Sequence, residues 1–253
     1  MDSLKKLKPL SFFPSLLIYL ITASMIYATH YIFTPAFQKV TGQPYLIGYL
    51  VGWGFNMIVF FSASLIAYRL EGNQFDREIF LKRFRLDHME KLDWLWTLIV
   101  ILVVVVFYFG LSFTSEWLTK IPIFSPHPSF PLDMVTGKLN PGYLFEMELK
   151  GKWWVVIVYL FLWLFNIFGE EFWYRGWMLP RQEIAFGKYA WVFNSLMFTF
   201  QHWLQPWNFL VILPGALFAV FIVQHRKNTW ITIIQHGVMN ISLFIYVFLS
   251  VLK

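Results

Sequence analysis

The sequence predicts an all-α, polytopic membrane helix bundle of seven to eight spanning helices, and three observations carry the prediction. The first is composition: of 253 residues, 58% are apolar, 21% aromatic and only 13% charged, with a mean hydropathy of +0.58. Soluble domains have about 45–50% apolar and about 25% charged residues. The second is that runs of about 20 apolar residues, enough to cross a hydrocarbon core of roughly 30 Å, recur from end to end. The third is that no polar block is large enough for a second domain, so residues 1–253 read as a single membrane domain.

The runs lie near 10–29, 45–68, 94–113, 152–172, 189–205, 207–224 and 229–251, with an eighth span if one of them is broken. Lys5, Lys6 and Lys8 precede the first run in the order of a signal peptide. The apolar stretch from Leu10 to about Ala28 is too long for one and lacks an obvious small-residue cleavage site, so an uncleaved first spanning helix is expected. Gly48 and Gly52 in the second run form a small-xxx-small pair suited to close helix packing. From Arg69 to Asp93, Phe75, Ile79, Phe80, Phe84 and His88 alternate with basic residues; the segment reads as an amphipathic interfacial helix or a solvated linker. From Thr114 to Lys150, five prolines predict an irregular loop. Trp94, Trp96, Trp153 and Trp154 fall at predicted helix ends, where indoles favour the headgroup region. Pro214 predicts a kink in the sixth run.

The net charge of +6 is carried in short connections, which points to membrane orientation and away from nucleic acid. With the N-terminus in the cytoplasm, fourteen Lys and Arg fall on that side. Six (Lys39, Lys120, Lys138, Lys150, Lys152 and Lys253) fall on the other. The expected location is a bacterial cell membrane or, in a eukaryote, the endoplasmic reticulum. The lack of cysteine excludes disulfides, thiolate ligands and a cysteine nucleophile.

Twelve of the 14 acidic residues lie in connections or at the chain start, whereas Glu170 and Glu171 lie within the fourth apolar run. An ionisable residue inside a spanning helix is a functional-site hypothesis by default. Counted from the predicted helix ends, Glu170, His202 and His236 are 11, 14 and 8 residues deep, roughly 12–21 Å at 1.5 Å per residue, so all three fall in one layer. Glu171 and Arg175, four apart, share a face and can neutralise one another, leaving Glu170 about 100° away and free to face a cavity. Phe198 and His202 share a face, as do His236 and Asn240. Such a set can activate water through Glu170 with one histidine and hold an oxyanion with the other histidine and Asn240.

These three motifs, Glu-Glu-x-x-x-Arg at 170–175, Phe-x-x-x-His at 198–202 and His-x-x-x-Asn at 236–240, resemble the three ordered motifs of the CPBP (Abi) intramembrane protease family. That family includes the type II CAAX prenyl endopeptidases and bacteriocin-processing enzymes. The resemblance covers roughly Trp153 to Ser250, with a catalytic core at about 152–251. It implies hydrolysis of a membrane-associated protein or peptide, with the active site open to the cytoplasm. Carried over by motif, Glu170 would activate water with help from His202. His236 and Asn240 would bind the oxyanion, while Glu171, Arg175 and Phe198 would support the site. Both metal-dependent and metal-free mechanisms have been attached to the family. His202 and His236 with Glu170 or Glu171 would make a zinc set. Gly237 rather than Glu follows His236, so the HExxH signature is absent and the metal-free glutamate mechanism, without a cofactor, is the favoured expectation.

Three blander readings compete. His30, His88, His127 and His225 read as surface residues, Asn166 and Asn194 as helix-packing amides, and Arg181 with Glu183 as a solvated helix end. A transporter or proton relay also buries Glu and His, but the first three helices hold no matching acidic pair. A non-catalytic scaffold or immunity protein of the same fold is the third class.

Overall fold

The computed structural model describes residues 7–131, 135 and 139–252. Lys5, Lys6, Lys138 and Lys253 of the charge argument lie outside the described residues. Helix α1 (Phe12–Ala28) runs through a π-helical turn, Thr29–Phe33, into α2 (Thr34–Thr41). There follow α3 (Tyr45–Leu70), α4 (Arg77–Arg83) and α5 (Lys91–Leu118). Next, α6 (Trp153–Glu170) passes through a second π-helical stretch, Glu171–Met178, into α7 (Leu179–Phe186). The chain ends with α8 (Ala190–Gln201), α9 (Phe209–Arg226) and α10 (Trp230–Leu252). The protein is thus an all-α, multi-pass membrane bundle.

Among the described residues, six helical units are long and apolar enough to span a bilayer, rather than seven or eight. The difference lies in the fifth apolar run, which forms only the 12-residue α8 and is joined helically to the fourth within Trp153–Leu204. Twelve residues rise about 18 Å, short of the roughly 30 Å core. Gly187, at φ 56° and ψ −131°, turns the chain between α7 and α8.

Successive neighbours close a ring: α1 lies against α8, α8 against α9, α9 against α5, α5 against α10, α10 against α6, and α6 against α3. The turn Thr29–Phe33 returns from α1 to α3 and completes it. The approach there needs Gly52, since a Cβ at that position would meet Thr29 Cγ2 at 2.6 Å and Phe33 Cδ1 at 2.9 Å. Both π-helical stretches end two residues before a proline, Pro35 and Pro180. Proline donates no N–H, so it frees carbonyls in the preceding turn, and buried carbonyls need other donors. The Tyr45 hydroxyl donates to His30 O at 3.4 Å, and Arg83 Nη1 donates to Gly176 O at 2.9 Å.

Two connections are more ordered than the sequence predicts. The Arg69–Asp93 segment has only the seven-residue α4, capped by Asp76, whose side chain accepts from Ile79 N. Instead of lying on an interface, Phe84 is buried and packs on Tyr68 and Phe172. The proline-rich connection carries a small antiparallel hairpin, Tyr143–Leu144 with Met147–Glu148. It stays ordered because Leu144, Phe145 and Leu149 are buried against Leu46, Tyr49, Val247 and Val251.

The charges near the α3, α7 and α9 C-termini form an ion-pair layer rather than solvated ends. Glu183 pairs with Arg85 at 2.7 Å and Lys227 at 2.5 Å, and Asp93 with Arg226 at 2.7 Å. Glu71 accepts from Arg83 at 2.6 Å and Arg181 at 2.6 Å. Burial pushes the Glu71 carboxyl up, but the hydrogen bonds and charge of Arg83 and Arg181 outweigh it and hold the group below the usual carboxylate range. A lowered folded pKa stabilises the fold fully above the unfolded value of about 4.3, and that contribution is lost as pH falls through the folded value. Melting in detergent should therefore separate Glu71→Gln from wild type at pH 7, and the gap should narrow below about pH 4. A gap that stays constant down to pH 3 would mean Glu71 is not titrating as this pair.

Candidate active site

A cavity of about 610 Å³ lies within the helix ring, and Glu170, Glu171, Arg175, Phe198, His202, His236 and Asn240 all line it. The three sequence motifs therefore meet in one place, brought together by α6, α8 and α10. Glu170 is the last residue of α6, seated by Gly169: a Cβ there would stand 3.0 Å from Met57 O, so glycine lets α6 close on α3. Although Glu170 is only 2% exposed, no hydrogen bond reaches its side chain among the described residues. It faces the cavity instead.

Glu171 has the opposite circumstances. Its Oε1 lies 3.1 Å from His236 Nδ1, and its Oε2 lies 3.6 Å from Arg175 Nε, an ion pair beyond hydrogen-bond reach. The Arg175 guanidinium, 3% exposed, lies over the Phe198 ring at 3.8 Å from its centroid, a close cation–π contact. On the same ring, His202 packs edge-on with centroids 4.8 Å apart. Phe198 thus spaces Arg175 from His202, and the expected Glu171–Arg175 and Phe198–His202 pairings are present.

Hydrogen bonds fix the two imidazoles differently. His202 closes α8, and its Nδ1 lies 2.9 Å from Phe198 O. A carbonyl can only accept, so Nδ1 carries the hydrogen and Nε2 is left with a lone pair. His236 donates from Nδ1 to Glu171, while its Nε2 lies 3.2 Å from Asn166 Nδ2, which then donates. Asn240 lines the same wall and makes no side-chain hydrogen bond among the described residues.

Two residues belong to this site that the sequence placed elsewhere. Asn166 was expected to be packing glue, yet it holds a site histidine; its position four residues before Glu170, on the same helical face, was the available signal. His30 was expected at the surface, yet it is 2% exposed and lines the cavity. Asn194 does serve packing, donating to Tyr174 O at 3.1 Å and Gln182 Oε1 at 2.8 Å. His88, His127 and His225 are exposed.

Both ring nitrogens of His236 have partners, and among the described residues no three His, Cys, Asp or Glu groups converge at ligand spacing.

The family model described as type II CAAX prenyl endopeptidase Rce1-like matches residues 152–242. No curated protein and no solved structure matches the chain. The matched stretch holds every residue of the three motifs, from Glu170 to Asn240. Residues 152–242 of this multi-pass membrane protein are therefore an Rce1-like domain.

Proposed function

We propose that the protein is an intramembrane endopeptidase that cleaves a membrane-associated, CAAX-type protein or peptide with a water activated by Glu170. The observation that carries this reading is the contrast between two adjacent carboxylates. Glu171 is tied to His236 and Arg175, whereas Glu170 has no hydrogen-bond or ion-pair partner among the described residues and faces the cavity.

In this mechanism Glu170 removes a proton from water while His202 Nε2 accepts a hydrogen bond from the O–H that remains and aims the oxygen at the scissile carbonyl. The tetrahedral oxyanion receives a hydrogen bond from the Asn240 carboxamide. His236 supplies a second from Nε2–H when it enters the reaction as the imidazolium, its proton taken up from solvent with Glu171 as counter-charge and the Asn166 amide turned away from Nε2. Glu170 then passes its proton to the leaving amine, and the peptide bond breaks to a carboxylate and an amine. Placing this end of the bundle toward the cytoplasm rests on the positive-inside count.

Direct assay of purified protein on membrane-anchored peptides, with and without a prenyl group, tests the proposal. Membrane proteomics with and without active protein should reveal a cleavage that disappears. Intact substrates in both experiments would overturn the peptidase reading.

The metal-free form of the mechanism makes a separate prediction. Activity should survive exhaustive chelation, metal analysis should give well under one equivalent, and Asn240→Ala should slow turnover by about 10²–10³. Stoichiometric zinc that is lost with activity and restores it would instead make the histidines ligands.

A further inference from the structure

His30 is a further polar group of this cavity, well removed from the three motifs in sequence. The π-helical turn Thr29–Phe33 carries it, and the close approach at Gly52 presses that turn against α3. Its ring centroid lies 5.5 Å from those of Tyr49 and Trp53 and 5.9 Å from that of Phe130. Tyr49 and Trp53 line the cavity beside it. His30 Nδ1 lies 2.9 Å from Ile26 O, so Nδ1 carries the hydrogen and Nε2 is an acceptor. Among the described residues Nε2 has no partner, although the side chain is almost wholly buried and lines the cavity. A hydrogen-bond acceptor left open between aromatic rings selects for a donor, because an apolar occupant leaves it unpaired.

We propose that His30 Nε2 is a specificity-determining acceptor for the substrate, taking a hydrogen bond from a hydroxyl or carboxamide side chain held between Tyr49 and Trp53. This deepens the peptidase reading and rests on it. Gly169 packs on the Met57 backbone, which sets the level of Glu170 on α3. Trp53 and Tyr49 are four and eight residues from Met57, or about 6 and 12 Å along the helix. An extended peptide advances about 3.4 Å per residue, so the side chain read here lies roughly two to four residues from the scissile bond. The favoured residues are Ser, Thr, Asn and Gln. Aliphatic residues, and carboxylates with no hydrogen to give, are disfavoured.

The test uses membrane-anchored peptides in which Ser is exchanged for Ala, and Thr for Val, at each position within four residues of the cleaved bond. Binding is measured to Glu170→Gln protein, which holds peptide without turning it over, and kcat/KM is measured on the unsubstituted chain. One position should show a preference of about tenfold for the hydroxyl, expressed in binding and KM rather than kcat. Adding His30→Phe, which keeps an aromatic ring, should reduce the ratio to about one. His30→Gln, whose Oε1 lies near the former Nε2, should restore it. If His30→Phe does not fold, His30→Met serves in its place. The proposal falls if no position shows a preference in the unsubstituted chain, or if the preference survives loss of the imidazole. Absence of cleavage by the unsubstituted chain, with the binding preference and its loss intact, would overturn the peptidase reading and leave the His30 subsite standing.

Discussion

Glu170→Gln is expected to lower peptide hydrolysis by at least 10²–10⁴-fold while leaving yield and melting in detergent near those of wild type. The amide matches the carboxylate in shape but cannot accept a proton from water. The fold should tolerate it because Arg175 and His236 pair with Glu171, and no hydrogen bond or ion pair to the Glu170 carboxylate exists among the described residues. Removing a buried charge that has no fixed partner costs little and can help. Turnover and melting measured on the same purified sample decide the matter. Wild-type turnover would dismiss Glu170 as the base, and an unfolded sample would mean the carboxylate has a structural partner. Glu170→Asp, which withdraws the carboxylate by one methylene, should retain a fraction of the rate if reach to the water is what matters.

The pairing of Arg175 with Glu171 rather than with Glu170 was legible in the sequence because it follows from helical spacing. Arg175 stands four residues from Glu171, and the pair survives even though the backbone there is π-helical. The π-helical stretch itself was not legible. It reflects a proline at 180, a carbonyl taken by Arg83 from a distant segment, and aromatic packing that no local pattern announces. A π-helical segment at a functional site is a recurrent arrangement, since it re-aims side chains without ending the helix.

His30 was misplaced for a related reason. The apolar run weakens at Thr29 and His30, so the first helix was expected to stop there. Instead Thr29 Oγ1 accepts from Asn56 Nδ2 at 2.8 Å and His30 bonds Ile26 O, and helical structure continues to Thr41. Polar residues satisfied by tertiary partners extend a helix past the point where hydropathy ends it. The ion-pair layer was hidden by the opposite effect. Glu71, Arg181 and Glu183 sit in polar stretches where a solvated charge and a paired one leave the same trace in sequence. Asn166 was visible but ambiguous, because a lone amide in an apolar helix serves packing as readily as a histidine.

Glu171→Ala and Arg175→Ala should each destabilise the folded protein by about 3–5 kcal/mol, since each leaves a buried charge without its partner. Their costs should differ in order. After Glu171→Ala, Arg175 keeps only the Phe198 ring among the described residues, and His236 Nδ1 loses its acceptor. After Arg175→Ala, Glu171 keeps His236, which can take a proton and become its counter-charge. Glu171→Ala should therefore melt lower than Arg175→Ala, and both lower than Glu170→Gln. Replacing the pair together by Glu171→Leu and Arg175→Met should recover much of the stability, because two apolar side chains of similar volume need no partners. Activity should not return with it, since His236 would still lack the carboxylate that fixes its ring. Single variants that melt with wild type would show the pair to be water-exposed. A double variant that regains both stability and turnover would show that Glu171 serves the fold alone and that His236 needs no orienting partner.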